Sequence, residues 1–181
     1  IDIVGNDRTH DKVIRRELQL FEGDAYNRTL VERARRRLTA LDYFSSVEFK
    51  EEEGSAPDRI TLVIEVVEKS TGQLNFSIGY SSIETVVGQV GIQERNLFGR
   101  GQNVKLNTSV SFKKQSIDFS FTEPYFMGMP LAAGFDLFGN RADNTSTSSY
   151  RSQQIGGALR VGFRLDEFSS LNLKYFAAYR D

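Results

Sequence analysis

Apolar and polar residues alternate along the second half of the chain. In the stretch LNFSIGY, the residues Leu74, Phe76 and Ile78 are separated by small or polar residues. A period of two is typical of a β-strand, because successive side chains of a strand point to opposite faces of its sheet. The pattern recurs in segments 74–80, 86–93, 104–113, 117–122, 131–137, 155–165 and 171–180. It therefore predicts seven strands after residue 70.

The first half shows helical spacing between shorter alternating segments. After an opening strand, IDIV, Thr9 is placed to cap a first helix, which Gly23 would end. A second helix is predicted to start at Asp24 or Asn27, which can also act as caps. The apolar positions are Val13, Ile14, Leu18 and Phe21 in the first helix, and Leu30, Val31, Ala34, Leu38 and Leu41 in the second. Each set would form one buried face.

Two further strands follow the second helix and complete a small α+β unit with the order β-α-α-β-β. They flank a turn at residues 54–58. Their inward positions are Val47 and Phe49 on one strand and Ile60, Leu62, Ile64 and Val66 on the other. Glycine is sparse before Gly72 and common after it. We therefore place one domain at residues 1–69 and a second at residues 70–181.

The alternating half fits two architectures, a soluble sandwich and part of a transmembrane β-barrel. Strand lengths of about 9 to 11 residues favour the barrel, because a tilted strand of that length crosses a bilayer. The polar faces carry small hydrophilic residues, as a water-filled lumen permits. Aromatic residues gather near strand ends, where a membrane interface would lie. They are Tyr80, Phe98, Tyr125, Phe126, Phe168 and Tyr179.

The polar side of this barrel would carry charged residues into its lumen. The predicted lumen residues are Lys105, Lys113, Asp118, Arg160, Arg164 and Lys174. Connector lengths indicate the orientation, because the longest polar connector, GNRADNTSTSSY, falls at the end of the strands opposite to the first domain. Outer-membrane barrels have long extracellular loops and short periplasmic turns. The first domain is therefore predicted to be periplasmic.

The stretch LFGRGQ, between the second and third predicted strands, fits either a phosphate-binding loop or a tight turn. A phosphate loop would be followed by a helix, whose N-terminus helps to bind the anion. Here the next residues, QNVKLNTSVSF, alternate as a strand does. The two glycines are therefore predicted to supply the positive φ angles of a turn between antiparallel strands.

Composition weakens several function classes. The net charge of -1 gives no reason to expect nucleic acid as a partner. Cysteine is absent and His10 is the single histidine, so we predict no catalytic site, no metal site and no cofactor. No apolar run approaches the roughly 18 residues of a transmembrane helix. The first residues contain no targeting segment, so we expect that it was removed or that the chain is a fragment.

Two charged clusters are expected to face solvent. Glu51, Glu52 and Glu53 precede a turn and would discourage strand aggregation there. The outer face of the second helix carries Arg33 and Arg35–Arg37. These arginines are expected to be solvated, with contact to an acidic accessory subunit as the alternative.

Several motifs, in one order, make the chain resemble the family of outer-membrane assembly factors, in which polypeptide-transport-associated (POTRA) domains precede a transmembrane β-barrel. GNDRTHDKVIRREL resembles the start of a POTRA domain, and LDYFSSVEF the end of its second helix. STGQLNFSIGYSS resembles the first barrel strand, ERNLFGRGQ the turn after the second, and TEPYF the turn after the fourth. The resemblance spans all 181 residues. It implies a C-terminal POTRA domain followed by the first strands of an incomplete barrel.

The resemblance also implies a function, namely folding and inserting other β-barrel proteins into the outer membrane with the help of accessory lipoproteins. The first barrel strand would be a gate whose edge pairs with strands of unfolded outer-membrane proteins. That edge is predicted at Gly72, Gln73, Leu74, Asn75, Phe76, Ser77, Ile78, Gly79 and Tyr80. An edge in the POTRA domain, at Val47, Glu48, Phe49, Lys50 and Glu51, would bind clients or partners. A periplasmic turn is predicted at Asn96, Leu97, Phe98, Gly99, Arg100 and Gly101.

Two other functions stay open. A secretion channel of the same superfamily, of the two-partner type, would conduct an exported chain through its lumen instead of admitting strands into its wall. A passive pore of the porin kind is disfavoured, because such pores carry no α+β domain at their first strand.

Overall fold

The computed structural model describes residues 1–82, 84–143, 151–165 and 169–181. The chain divides into two compact units. The first contains residues 1–71 together with residues 98–101, and the second contains residues 72–97 and 102–181. The first unit combines two helices with a small sheet, whereas the second is a single antiparallel sheet.

The first unit has a three-stranded sheet and two helices. Its elements are β1 (Asp2–Val4), α1 (Asp11–Leu18), α2 (Arg28–Ala40), β2 (Phe44–Glu53) and β3 (Ile60–Glu68). In the sheet, β3 lies between β1, to which it is parallel, and β2, to which it is antiparallel. The core is formed by Val13, Ile14, Leu18, Val31, Ala34, Leu38, Tyr43, Phe44, Leu62, Ile64 and Val66. Most of the predicted inward positions of this unit are thus buried.

Helix α1 is shorter than predicted at both ends. It begins at Asp11 after His10, whose side chain makes no capping hydrogen bond. The prediction that Thr9 caps this helix is wrong. The backbone N–H of Thr9 donates to the carboxylate of Glu68 at 2.7 Å, so a residue of β3 fixes this part of the chain. The helix ends at Leu18, and Phe21 lies beyond it with 75% of its surface exposed.

Helix α2 begins where one of the two predicted caps lies. The side-chain oxygen of Asn27 accepts hydrogen bonds from the N–H groups of Thr29 and Leu30, at 2.9 and 3.4 Å. Leu30 itself is exposed, so it does not join the buried face. With 13 residues α2 is the longer helix, and no helix in the described part of the chain is long and apolar enough to cross a membrane.

Arg37 of α2 has a structural role that differs from the predicted solvated one. Its Nε donates to the carbonyl oxygen of Glu17 at 2.7 Å, and its Nη2 donates to that of Leu18 at 2.6 Å. The last carbonyls of a helix have no partner within the helix and carry partial negative charge. The guanidinium group of Arg37 therefore caps the C-terminus of α1.

The second unit contains the seven strands predicted from the alternation. They are β4 (Gly72–Ser81), β5 (Thr85–Leu97), β6 (Gln102–Ser111), β7 (Lys114–Glu123), β8 (Leu131–Asp143), β9 (Arg151–Arg164) and β10 (Ser170–Arg180). Each strand pairs antiparallel with the next one along the chain. Within the described residues β4 and β10 are the two edges, and the sheet is not closed. Phe112 and Lys113, predicted inside a strand, lie between β6 and β7.

The register places most of the apolar residues of the seven strands on one face. Phe76 lies opposite Val90, and Val90 lies opposite Thr108, which lies opposite Ile117. This face is uncovered in the described residues, since Ile78 is 67% exposed. Ala158 is the one buried apolar residue among those described in this unit. The second unit therefore has no hydrophobic core of its own there.

Candidate strand-pairing edges and polar face

The free edge of β4 coincides with the predicted gate strand. β4 pairs with β5 over ten consecutive positions, from Gly72 opposite Glu94 to Ser81 opposite Thr85. No other described strand pairs with β4. An edge strand presents a row of unpaired backbone N–H and C=O groups. β4 therefore offers a template along which a further strand can add.

Side chains contribute little to the attachment of β4. Its apolar residues, among them Phe76 and Ile78, are exposed. On the opposite face the hydroxyl group of Ser77 donates a long hydrogen bond of 3.4 Å to the side-chain oxygen of Gln89. A Cβ atom added at Gly79 would meet nothing within 4 Å. The backbone hydrogen bonds to β5 are thus the main attachment of this strand.

The predicted edge in the first unit lies in the middle of β2. Val47 and Phe49 pack against the core, and the outer edge of β2 has no partner strand in the described chain. Lys50 forms an ion pair with Glu65 of β3 at 2.6 Å, and the hydrogen bond to that carboxylate raises the pKa of Lys50. These contacts attach one edge of β2 to β3. The opposite edge of β2 pairs with no described strand, so a partner strand can add there.

The middle of β2 is also contacted by residues outside the sheet. The guanidinium carbon of Arg35 lies 5.7 Å from the centre of the Phe49 ring, a favourable cation–π geometry. Arg35 is therefore less solvated than the sequence predicted, whereas Arg36 is exposed. The hydroxyl group of Tyr26 donates to Glu51. The acidic run at the end of β2 remains exposed.

The glycine-containing turn is shorter than predicted. Asn96 and Leu97 belong to β5, and the turn itself comprises Phe98–Gly101. Gly99 and Gly101 have φ angles of 70° and 71°, which agrees with the prediction of a turn instead of a phosphate loop. The carbonyl oxygen of Gly99 accepts from the N–H of His10 at 2.9 Å. A side chain at Gly99 would overlap the carbonyl of Arg8.

A cluster of charged side chains joins four neighbouring strands on the polar face. Arg160 of β9 contacts Asp136 of β8 at 3.0 Å and donates to the hydroxyl groups of Ser120 and Thr122 of β7 at 2.8 and 2.9 Å. Lys174 of β10 lies 3.4 Å from the same aspartate. These bonds add side-chain support to the pairing of β7, β8, β9 and β10.

Space for this cluster comes from a glycine. A Cβ atom added at Gly134 would lie 2.5 Å from the carbonyl oxygen of Phe121 and 3.1 Å from Nη2 of Arg160. Gly134 lies directly opposite Arg160 in the register of β8 and β9. The guanidinium group can therefore lie across β8 and reach β7.

Sequence reasoning missed two components of the polar face. Asp136 was not predicted as a polar-face residue, although it alternates with the apolar Phe135 and Leu137 along β8 and lies opposite Ser120. Phe138 and Phe176 were not recognised either. Their rings are stacked, with centroids 5.4 Å apart and planes at 4°. The polar face is therefore not uniformly hydrophilic.

The other predicted lumen and interface residues divide as follows. Lys105, Asp118 and Arg164 occupy strand positions on the polar face, whereas Lys113 lies between strands. Among the predicted interfacial aromatics, Tyr80, Phe98, Phe126 and Tyr179 are exposed and Tyr125 is half-buried. Phe168 lies outside the described residues. No group of three or more His, Cys, Asp or Glu in the described chain could hold a metal ion.

Family models match both parts of the chain. The model described as POTRA, surface antigen variable number repeat, matches residues 1–69. The model described as Omp85 superfamily domain matches residues 96–180.

Curated relatives extend these matches across the whole chain. The outer membrane protein assembly factor BamA of Neisseria meningitidis serogroup B is 32% identical over 184 residues, which cover 99% of this chain and 23% of that protein. BamA of Nitratidesulfovibrio vulgaris is 30% identical over 173 residues, which cover 96% of this chain and 22% of that protein. The chain thus spans about a quarter of the length of the curated relatives it matches.

Solved structures of similar fold include a BamA and a CdiB. The crystal structure of BamA from Haemophilus ducreyi lacking POTRA domains 1–3 matches with a TM-score of 0.83 at 28% identity, over 99% of this chain and 34% of that chain. CdiB from Acinetobacter baumannii matches with a TM-score of 0.60 at 18% identity, over 99% of this chain and 38% of that chain. The likeness to CdiB concerns the fold alone.

Proposed function

Because the chain belongs to the Omp85 superfamily, we propose that it takes part in folding and inserting β-barrel proteins into the outer membrane, with the free edge of β4 as the pairing surface. The observation that carries this proposal is the one-sided pairing of β4, which has β5 on one side and no described strand on the other. The similarity to proteins named outer membrane protein assembly factor BamA supports the choice of this activity.

The second unit is the wall of a transmembrane barrel in this proposal. Its apolar face contacts lipid and its polar face contacts water in the lumen, which accounts for apolar side chains as exposed as Ile78. An outward apolar band with a hydrophilic interior is the arrangement of outer-membrane barrels. The domain at residues 1–69 then lies in the periplasm.

Strand addition at β4 follows from ordinary sheet chemistry. An incoming strand with alternating side chains forms backbone hydrogen bonds along the open edge, so that its own polar groups are satisfied before it enters lipid. The charged cluster around Asp136 ties β7 to β10 together, whereas the apolar side chains of β4, among them Phe76 and Ile78, are exposed. The edge at β4 can therefore separate from a neighbouring strand while β7 to β10 stay paired.

The periplasmic domain has a second edge for binding. β2, with Val47–Glu51 at its centre, receives unfolded clients or accessory lipoproteins by the same kind of strand addition. Nothing in this mechanism requires a cofactor, a metal or a catalytic residue, because backbone hydrogen bonds provide the interaction.

Site-directed disulfide crosslinking tests the proposal. The chain contains no cysteine, so a single introduced cysteine gives one defined thiol in this region. Asn75→Cys on β4 in the complete, membrane-inserted protein is expected to form a disulfide with a cysteine in the terminal strand of a β-barrel precursor. The adduct should appear during assembly and disappear after the client is released.

A matched control lies on a strand with two neighbours. Asn107 is the same residue type on the same face, but it pairs with Gly91 of β5 and Asp118 of β7. Asn107→Cys should give no adduct. Equal capture at both positions, or capture at neither, would reject β4 as the entry edge. The secretion-channel alternative has no observation of its own in the described residues.

A further inference from the structure

The turn between β7 and β8 is unusually apolar for a connector. Strand β7 ends at Glu123 and β8 begins at Leu131. From Pro124 to Phe135 the sequence PYFMGMPLAAGF carries no charge. Within the turn Phe126, Met127 and Met129 are exposed, and Met127 is 80% exposed. Large side chains of this kind in contact with water carry a substantial cost, so their exposure indicates a contact with apolar material.

The backbone of this turn is largely satisfied by its own groups. The N–H groups of Gly128 and Met129 donate to the carbonyls of Tyr125 and Phe126 at 3.1 and 3.2 Å. The N–H of Tyr125 donates to the side chain of Glu123 at 3.1 Å. Leu131 donates to Met129 at 2.7 Å, and the prolines at 124 and 130 have no N–H. Such internal pairing is what a segment needs where water is scarce.

The turn continues the outward apolar face of the sheet. On that face Phe121 of β7 lies opposite Phe135 of β8, and their ring centres are 5.7 Å apart. Phe119 lies 5.8 Å from the same ring. The aromatic cluster therefore leads directly into the exposed turn. By contrast, the connector after β6 consists of an exposed Phe112 and the charged Lys113, and Lys114 begins β7.

We propose that the turn at residues 124–130 inserts the side chains of Phe126, Met127 and Met129 into the adjoining lipid leaflet, at the boundary of headgroups and acyl chains. The proposal rests on the assignment of the sheet as a membrane wall. A lipid surface fits better than a protein groove, because the apolar turn is continuous with the face assigned to lipid and carries no charge for specific recognition. Flexible methionine and an aromatic ring suit this interface.

Spin labelling of the complete protein in phosphatidylethanolamine and phosphatidylglycerol vesicles tests the insertion. Nitroxides are placed at Met127→Cys, at Leu137→Cys on the outward face of β8, and at Glu52→Cys in the first unit. Collision with oxygen, which concentrates in lipid, is compared with collision with a water-soluble nickel chelate. The label at residue 127 is expected to be accessible to oxygen and shielded from nickel, as the label at residue 137 is.

The controls separate the possible failures. A label at residue 127 that collides with nickel as freely as the label at residue 52, while residue 137 is shielded, overturns the insertion and leaves the membrane wall in place. Shielding of residue 127 from both reagents indicates a protein contact and also overturns it. Collision of the label at residue 137 with nickel would contradict the assignment of the sheet as a membrane wall. The proposed insertion would then be rejected as well. Capture of clients at β4 is measured independently of all three labels.

Discussion

Ile64 and Ile78 are the same residue type in strands with the same alternation, but their surroundings differ completely. Ile64 of β3 has no exposed surface, because it belongs to the core cluster formed with α1 and α2. Ile78 of β4 is 67% exposed, and no described element covers its face. Alternation thus identifies a strand with one apolar face, but not what covers that face. In the first unit the protein covers it, whereas in the second unit we assign this role to lipid.

The largest expected effect concerns the core of the first unit. Ile64→Ala should destabilise that unit by about 2–5 kcal/mol, because it removes buried methyl groups and leaves a cavity. Ile78→Ala removes the same atoms from an exposed position and should change stability by roughly 0.5 kcal/mol or less in detergent. Hydrogen exchange of the amides of β3 and β4 in the complete protein measures the two effects. Equal losses of protection would contradict the comparison.

A charge scan of one strand sharpens the comparison in the membrane. Gln89 and Val90 are neighbours in β5 and lie on opposite faces of the sheet. Val90→Arg should cost about 2–4 kcal/mol near the middle of the bilayer, whereas Gln89→Arg on the lumen side should cost little. Urea unfolding in phospholipid vesicles, followed by circular dichroism, compares the two variants. Equal costs at the two positions would contradict the assignment of one face to lipid and the other to water.

Structural features that depend on residues close together in the chain could be predicted from the sequence. The seven strands follow from the period of side chains, and the start of α2 follows from Asn27, whose side chain bonds groups two and three residues ahead. The start of α1 could not be predicted in this way. The chain before that helix is bound by Glu68, which lies 59 residues away from Thr9. Arg37 likewise caps α1 from another helix.

The candidate sites divide in the same way. Residues 72–81 were recognised as a strand, but whether they form an edge depends on the order of strands in the sheet. The contribution of Asp136 depends on the register that brings Ser120 and Arg160 next to it. Both are long-range properties, since each requires knowing which segments pair and at which residue.

A pH-dependent contribution is expected in the first unit. Burial alone raises the pKa of Glu68, but hydrogen bonds from the hydroxyl and N–H of Thr9 and from the N–H of Arg8 outweigh it and hold this pKa below the ordinary value. A carboxylate with a lowered pKa in the folded state stabilises that state fully above the unfolded pKa. This stabilisation is lost as the pH falls through the folded pKa.

Glu68→Gln isolates that contribution. The variant should lose about 1.5 kcal/mol at neutral pH, the low end for hydrogen bonds to a charged group, because the amide oxygen still accepts one bond. Chemical denaturation of the complete protein should show a smaller loss of first-unit stability on acidification for the variant than for the parent. Protection of the amides in β6 and β7 should be the same in both proteins. An unchanged pH dependence would exclude Glu68 as its source.

The smallest expected effect is at the start of α2, where a side chain caps the helix. A sheet has no such capping position. Asn27→Ala removes the acceptor for the N–H groups of Thr29 and Leu30 and should cost about 1 kcal/mol. Asn27→Ser keeps an oxygen acceptor at the cap and should recover most of that loss. Hydrogen exchange should place the difference at Thr29 and Leu30, with no change in β4. A loss of the same size in Asn27→Ser would mean that this side chain stabilises the helix by packing and not by capping.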